Sequence, residues 1–242
     1  MKILPVPKSI KEGKGFFRIQ RDTVIAADSF SNTQAVHFIK DSVYEKCRIE
    51  LKILAGAKEN AIRFVKTADD ALSQAYTLEI SENGVVISAE SECGFYYGAA
   101  TLVMIINEYG FSLPFLEITD SPDILKRGVL LDVTRGRVPK KETLIKRIKE
   151  FSFYKINQVY LYIEHTYEYS GISEAWRGIS PLSAADILEI KEYAKSVYIE
   201  LVPCFASFGH LYGVLSTKSY SHLAELDVKN QYSWIDRQVH HT

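Results

Sequence analysis

Charge of one sign is what this sequence lacks most plainly. Lysine and arginine number 29 against 30 aspartates and glutamates, a formal net charge of −1. That balance gives no support to nucleic acid or an acidic membrane surface as a partner. Cysteine is scarce. Cys47, Cys93 and Cys204 are far apart and odd in number, and no C-x-x-C occurs. A disulfide framework is therefore excluded, and buried thiols in a reducing compartment are expected. No run approaches the ~20 apolar residues of a membrane span. The opening MKILPVPKSIKEGKG has no apolar h-region, and Pro5 and Pro7 interrupt it. No signal peptide is read, and the expected location is cytoplasmic. H-x-H, H-E-x-x-H and P-loop spacings are missing, and His240-His241 has no partner spacing for a metal. No cofactor or metal is expected.

What is present is an ordinary globular composition, 47% hydrophobic and 24% charged. Its 242 residues allow one large domain or two ordinary ones. Residues 1–120 alternate short strands with two helices. Strands are expected at Phe16–Ile19, Val24–Ala27, Glu50–Leu54, Ile62–Val65 and Phe115–Thr119. A helix is expected over Thr33–Cys47, with Val36, Ile39, Val43 and Cys47 on one face. A second is expected over Gly94–Asn107. Tyr76, Leu78 and Ile80 alternate before Glu82-Asn83-Gly84, and Val85, Val86 and Ile87 follow. That is a hairpin signal in which both turn residues take positive φ. The sum is a small α+β domain with a mixed sheet and no motif for chemistry. Asp120-Ser121-Pro122-Asp123 is polar and turn-like, the best linker candidate.

Residues 121–242 change rhythm. Arg127–Val133, Gln158–Glu164 and Ile199–Phe205 read as strands. Val129, Leu130, Leu131 and Val133 are nearly continuous, as in a parallel strand covered on both faces. Lys141–Tyr154 reads as a helix with Leu144, Ile148 and Phe151 inward. Ser183 caps another, with Asp186 as its capping-box partner and Ile187, Ile190, Ala194 and Val197 as the inner stripe. A third helix is expected from Leu211. Strand and helix alternate at steps of about 30 to 40 residues, the βα rhythm of a parallel sheet or (β/α)8 barrel. The fold class is α/β. A barrel needs about eight strands, so three imply an incomplete barrel and a piece of a longer product.

Parallel barrels carry their chemistry at the carboxyl ends of the strands. Arg135 and Arg137 follow the first barrel strand, Glu164 and His165 the second, and Ser207, Gly209 and His210 the third. Tyr160, Tyr162, Tyr167, Tyr169, Trp176 and Tyr212 fall on or near the same loops. Arginine, imidazole and aromatic rings together suit a polyhydroxylated ring. Each residue also has a plainer role. Arg135 could pair with Asp132 and lock the strand end. Glu164 could be a catalytic acid or one half of a loop salt bridge. His165 could be a capped loop histidine.

RGVLLDVTRGRVP, YKINQVYLYIEH and ELVPCFASFGHL, in that order, resemble the first three barrel segments of glycoside hydrolase family 20, the β-N-acetylhexosaminidases. FYYGAATLVMII resembles the last helix of the small domain that precedes the barrel there. The resemblance implies retaining cleavage of terminal β-linked N-acetylglucosamine or N-acetylgalactosamine. The substrate's own acetamido oxygen is the nucleophile, an Asp orients it, and the adjacent Glu is general acid and base. Arg135 matches the arginine that grips the sugar's outer hydroxyls, and His210 the histidine after strand three. Two departures stand out. His165, beside Glu164, replaces an Asp, and Pro203-Cys204-Phe205-Ala206 lacks two carboxylates. The catalytic Asp-Glu pair belongs after a fourth strand, so residues 1–242 alone are expected to be inactive. The other readings are a non-catalytic carbohydrate-binding protein on a degenerate barrel and a metal-assisted barrel enzyme. The open edges of the barrel strands predict self-association.

Overall fold

The computed structural model describes residues 1–26, 34–56, 59–205 and 209–224. The chain forms two compact units. One is Met1–Leu125 with Phe153–Lys155, and the other is Lys126–Ser152 with Ile156–Thr242.

The first unit holds a mixed sheet and two long helices. Its elements are β1 (Ser9–Arg18), β2 (Val24–Ala26), α1 (Gln34–Cys47), β3 (Lys52–Leu54), β4 (Ala61–Lys66), β5 (Tyr76–Ser81), β6 (Gly84–Ala89), α2 (Glu92–Tyr109) and β7 (Ser112–Asp120). The sheet order is β1-β7-β5-β6-β4-β2-β3. Pairs β1/β7, β7/β5 and β5/β6 are antiparallel, and β6/β4, β4/β2 and β2/β3 are parallel. Helix α2 is buried without a break from Gly94 to Ile106, because an all-apolar helix must be covered on every side. Ser91 caps it, accepting from the Gly94 N–H at 2.9 Å. Glycine lets it sit close to the sheet, since a Cβ on Gly98 would lie 2.6 Å from Ile87 Cγ2. On its other flank Tyr96 stacks on Phe38 of α1, ring centres 5.6 Å apart.

Several boundaries move. Strand β1 begins at Ser9, well before Phe16, because its polar first half is held by pairing with β7. Asp120 is the last residue of β7 and not a linker. The β5–β6 hairpin forms, yet Gly84 takes positive φ (128°) and Asn83 does not. Ser81 pairs with Gly84, and Gly84 lies against β4 so closely that a Cβ would stand 2.4 Å from the Ala61 carbonyl oxygen. Thr33 and Ala27, expected ends of a helix and a strand, lie outside the described residues. The three cysteines are unbridged by disulfides and half-buried rather than buried.

The second unit contains β8 (Gly128–Asp132), α3 (Lys141–Phe153), β9 (Gln158–Tyr162), α4 (Ser173–Trp176), α5 (Ala184–Ser196), β10 (Glu200–Cys204) and α6 (Tyr212–Leu215). The strands are parallel in the order β10-β9-β8. They start flush, with Gly128 opposite Gln158 and Gln158 opposite Glu200, and end flush at Asp132, Tyr162 and Cys204. The capping box at Ser183 and Asp186 is present in both directions. Helices α3 and α5 stop in the same way. Ile156 N–H bonds to the Phe151 carbonyl at 3.1 Å, and Ile199 N–H to the Ala194 carbonyl at 2.9 Å. Lys155 (φ 59°) and Tyr198 (φ 60°) take the left-handed position usually given to glycine. Each helix is thereby turned into the next strand.

Strand β8 is not covered on both faces. Val129 and Leu131 are half-buried and Leu130 is 58% exposed. Among the described residues it pairs only with β9, at the edge of the sheet. From Leu211 the expected helix is a single turn, followed by a short 3-10 turn at Ser221–Leu223. Among the described residues no helix is long and apolar enough to cross a membrane.

Candidate functional site

Because β8, β9 and β10 end level, the segments that leave them emerge along one rim. Arg135 comes from the first, Glu164 and His165 from the second, and Gly209 and His210 from the third. Ser207 and Ala206 lie outside the described residues. Arg135 and Glu164 meet, with Arg135 Nη1 donating to Glu164 Oε1 at 2.8 Å. The same oxygen accepts from the Tyr162 hydroxyl at 2.9 Å. Arg135 Nη2 lies 3.4 Å from His210 Nδ1, and His210 is held in the left-handed region at φ 62°. His165 Nδ1 stands 3.8 Å from Glu164 Oε2 and has no hydrogen-bond partner among the described residues. The His165 ring rests on the backbone of Gly213, where a Cβ would lie 2.5 Å from Nδ1.

The four expected site residues therefore stand together, Arg135 and His165 beside the Glu164 carboxylate and His210 beside Arg135. Glu164 is buried, its side chain 7% exposed, whereas that of Arg135 is 46% exposed. The guanidinium bridges a protein anchor and open solvent. Burial works against its charge, but the hydrogen bond and charge of Glu164 more than offset this and hold it above its ordinary pKa. Arg135 also donates to Thr134 Oγ1. The alternative pair of Arg135 with Asp132 does not form. Asp132 Oδ1 instead accepts from the Thr134 N–H at 2.8 Å and its hydroxyl at 2.7 Å. Asp132 steadies the loop through Thr134 and leaves the guanidinium to Glu164.

Arg137 makes no hydrogen bond to this cluster; with Arg135, Asp132, Lys140, Thr143 and Arg147 it lines a cavity of about 660 Å³. Tyr160 leaves the rim. Its hydroxyl reaches back toward the strand start, to Gln158 Oε1 at 3.3 Å. Tyr167, Tyr169 and Trp176 do cluster. Tyr167 and Tyr169 meet edge to face at 4.8 Å, Tyr169 meets Phe205 at 5.9 Å, and Trp176 Nε1 donates to the Tyr169 carbonyl at 3.0 Å.

Tyr162 is the member whose role sequence reasoning missed. It precedes Glu164 by two, and residues i and i+2 share one face of an extended chain, so its contact was readable. Burial first, then the hydrogen bond and charge of Glu164, push its phenol up to about 12. A folded-state pKa raised above the unfolded value of about 10 contributes stability below that value, and the contribution is lost as pH rises through about 12. Glu164→Gln is expected to move this titration down, though not to the ordinary value, because burial remains. ¹³C NMR of tyrosine-labelled protein reads it directly, and an unmoved resonance would separate Tyr162 from Glu164.

A half-exposed guanidinium, a neighbouring imidazole and a buried carboxylate can donate to and accept from adjacent hydroxyls. Among the described residues no group of His, Cys, Asp or Glu could hold a metal ion.

The family model for glycosyl hydrolase family 20, domain 2, matches residues 1–121. The N,N'-diacetylchitobiase of Vibrio harveyi is 25% identical over 237 residues, covering 83% of this chain and 26% of that protein. A beta-hexosaminidase of Porphyromonas gingivalis is 26% identical over 205 residues, covering 80% and 24%. The GH20 β-N-acetylhexosaminidase structure from Streptomyces coelicolor A3(2) superposes with a TM-score of 0.75 at 23% identity, over 88% of this chain and 48% of that one. The exo-β-N-acetylglucosaminidase structure from Vibrio harveyi with N-acetylglucosamine gives 0.75 at 20% identity, over 99% and 41%. The chain spans about a quarter of the length of these curated relatives, 26% and 24%. With the family model matched from Met1 through residue 121 of 242, the chain belongs to glycosyl hydrolase family 20.

Proposed function

We propose that the whole protein is a β-N-acetylhexosaminidase. It removes terminal β-linked N-acetylglucosamine or N-acetylgalactosamine with retention, using the substrate's acetamido oxygen as nucleophile. In this reading residues 1–120 are the small domain, and residues 121–242 are the opening portion of a TIM barrel. Arg135 and His210 hold sugar hydroxyls, Glu164 keeps Arg135 extended toward the ligand, and His165 borders the same pocket. The observation that supports this best is the Arg135 guanidinium, anchored by Glu164 at 2.8 Å yet half open to solvent beside His210. The names of the relatives point to the same substrate class.

The sequence contains no adjacent Asp-Glu pair, so turnover needs residues outside these 242. A chromogenic β-N-acetylglucosaminide is expected to be cleaved by the whole protein and left intact by residues 1–242. Release by residues 1–242 would contradict the assignment of roles. Pro203-Cys204-Phe205-Ala206, where the family pattern has Pro-Glu-x-Asp, favours a second reading: a non-catalytic sugar-binding protein. In that case the whole protein binds N-acetylglucosamine and cleaves nothing.

Among the described residues, strands β8 and β10 each have one neighbour in their sheet, and Leu130 is 58% exposed. Unpaired strand edges with apolar side chains recruit other strands. Residues 1–242 are expected to self-associate by light scattering, and Leu130→Lys to reduce it. A monomer that persists across dilution would count against this edge.

A further inference from the structure

We propose a second sugar-binding surface, on the first unit, built around Phe16 and Phe115. It takes a chain of pyranose rings rather than a single terminal sugar. The claim stands on geometry separate from the rim and rests on the proposed function only for the choice of sugar.

Strand β1 bulges against β7. Glu12 pairs with Leu116 and Phe16 with Pro114, so three residues, Gly13 to Gly15, face the single residue Phe115. The Phe115 ring lies on this bulge. A Cβ on Gly15 would stand 2.4 and 2.7 Å from its ring carbons, and Gly15 has φ 127°. Phe16 follows at once and is 60% exposed. The two rings border two grooves. One, of about 470 Å³, is also lined by Arg18, Gln20, Glu82 and Asn83. The other, of about 270 Å³, lies toward Tyr109 and Pro114. Aromatic faces thus form a ridge between concave strips.

The polar lining decides the occupant. Arg18, Gln20, Glu82 and Asn83 make no side-chain hydrogen bond or ion pair among the described residues. A protein partner would have to desolvate them, at a cost in free energy unless each found a partner. Sugar hydroxyls satisfy amides, carboxylates and guanidinium, while the C–H faces of the rings lie on phenylalanine. Strand addition is disfavoured as well, since the bulge and the exposed Lys11 and Lys14 blunt this edge.

Calorimetry on the 242-residue chain with a β-1,4-linked N-acetylglucosamine hexamer, and separately with the monosaccharide, tests the surface. The hexamer is expected to bind. Phe16→Ala should weaken it by roughly tenfold and leave any monosaccharide binding unchanged. Phe16→Trp should keep or strengthen it, which excludes a general loss of fold. The proposal is overturned if the hexamer fails to bind at millimolar concentration, if Phe16→Ala binds it equally well, or if Phe16→Trp loses it too. It is also overturned if Phe16→Ala instead abolishes concentration-dependent self-association, which would make the surface a protein interface. Loss of monosaccharide binding alone would count against the rim and leave this surface standing.

Discussion

Replacing Lys155 by alanine is expected to cost about 3–5 kcal/mol of stability, the penalty for stranding one half of a buried ion pair. Lys155 is 4% exposed. Its Nζ donates to Asp120 Oδ2 at 3.0 Å and to the Tyr76 hydroxyl at 2.7 Å, and it lies 4.8 Å from the Tyr76 ring centre. The Tyr76 hydroxyl donates to the same Asp120 oxygen at 2.9 Å and meets Thr101 Oγ1 at 2.6 Å. Burial, then the Asp120 charge, hold the Tyr76 phenol far above its ordinary range, so it stays a donor at any pH the fold survives. Removing the lysine leaves a carboxylate in the interior with the phenol as its remaining close donor among these groups. Urea unfolding near neutral pH measures the loss. Adding Asp120→Asn should return part of it, because the two sites share one network. A loss below about 1 kcal/mol would put this pair with exposed ones such as Lys11–Glu117, with side chains 70% and 51% accessible.

In the whole protein, Arg135→Ala is expected to lower kcat/KM on a β-N-acetylglucosaminide by about 100-fold to 1,000-fold. Losing charged hydrogen bonds to two hydroxyls accounts for about 3–4 kcal/mol. Glu164→Gln should fall less, since the amide oxygen can still accept from Arg135 and Tyr162. Glu164→Leu should approach the arginine variant, because an unanchored guanidinium loses its aim. Steady-state kinetics on the three variants give the order. An Arg135→Ala enzyme with unchanged kcat/KM would remove the arginine from substrate contact.

The residues that were legible in the sequence are those whose partners lie nearby in it. Ser183 and Asp186 are three apart, and their mutual cap was readable as written. Leu144 and Ile148, or Ile190 and Ala194, lie one turn apart and are buried as their spacing predicts. Partner choice across the fold was not legible. Arg135 has Asp132 three residues away, yet bonds to Glu164, 29 residues on, because adjacent parallel strands bring the two loops together. The exposure of Leu130 was hidden for a similar reason. Its apolar run describes the strand, and only its place at the sheet edge decides how much is covered. The turns at Lys155 and Tyr198 escaped because neither is glycine, and the hydrogen bonds that force their φ are set by the helix before and the strand after.

Pairing order also bears on how the chain is made. In the second sheet, neighbours follow one another along the polypeptide. Glu200 is 42 residues after its partner Gln158 (200 − 158), which a ribosome covers in roughly 2–8 s at ~5–20 residues per second. In the first sheet, Ser9 waits for Thr119, 110 residues later (119 − 9), or roughly 6–22 s at the same speed. Of the strands in this sheet, the first to leave the ribosome is thus the last to find a neighbour. Throughout that wait Phe16 and Phe17 stand bare on the nascent chain, a natural foothold for a chaperone.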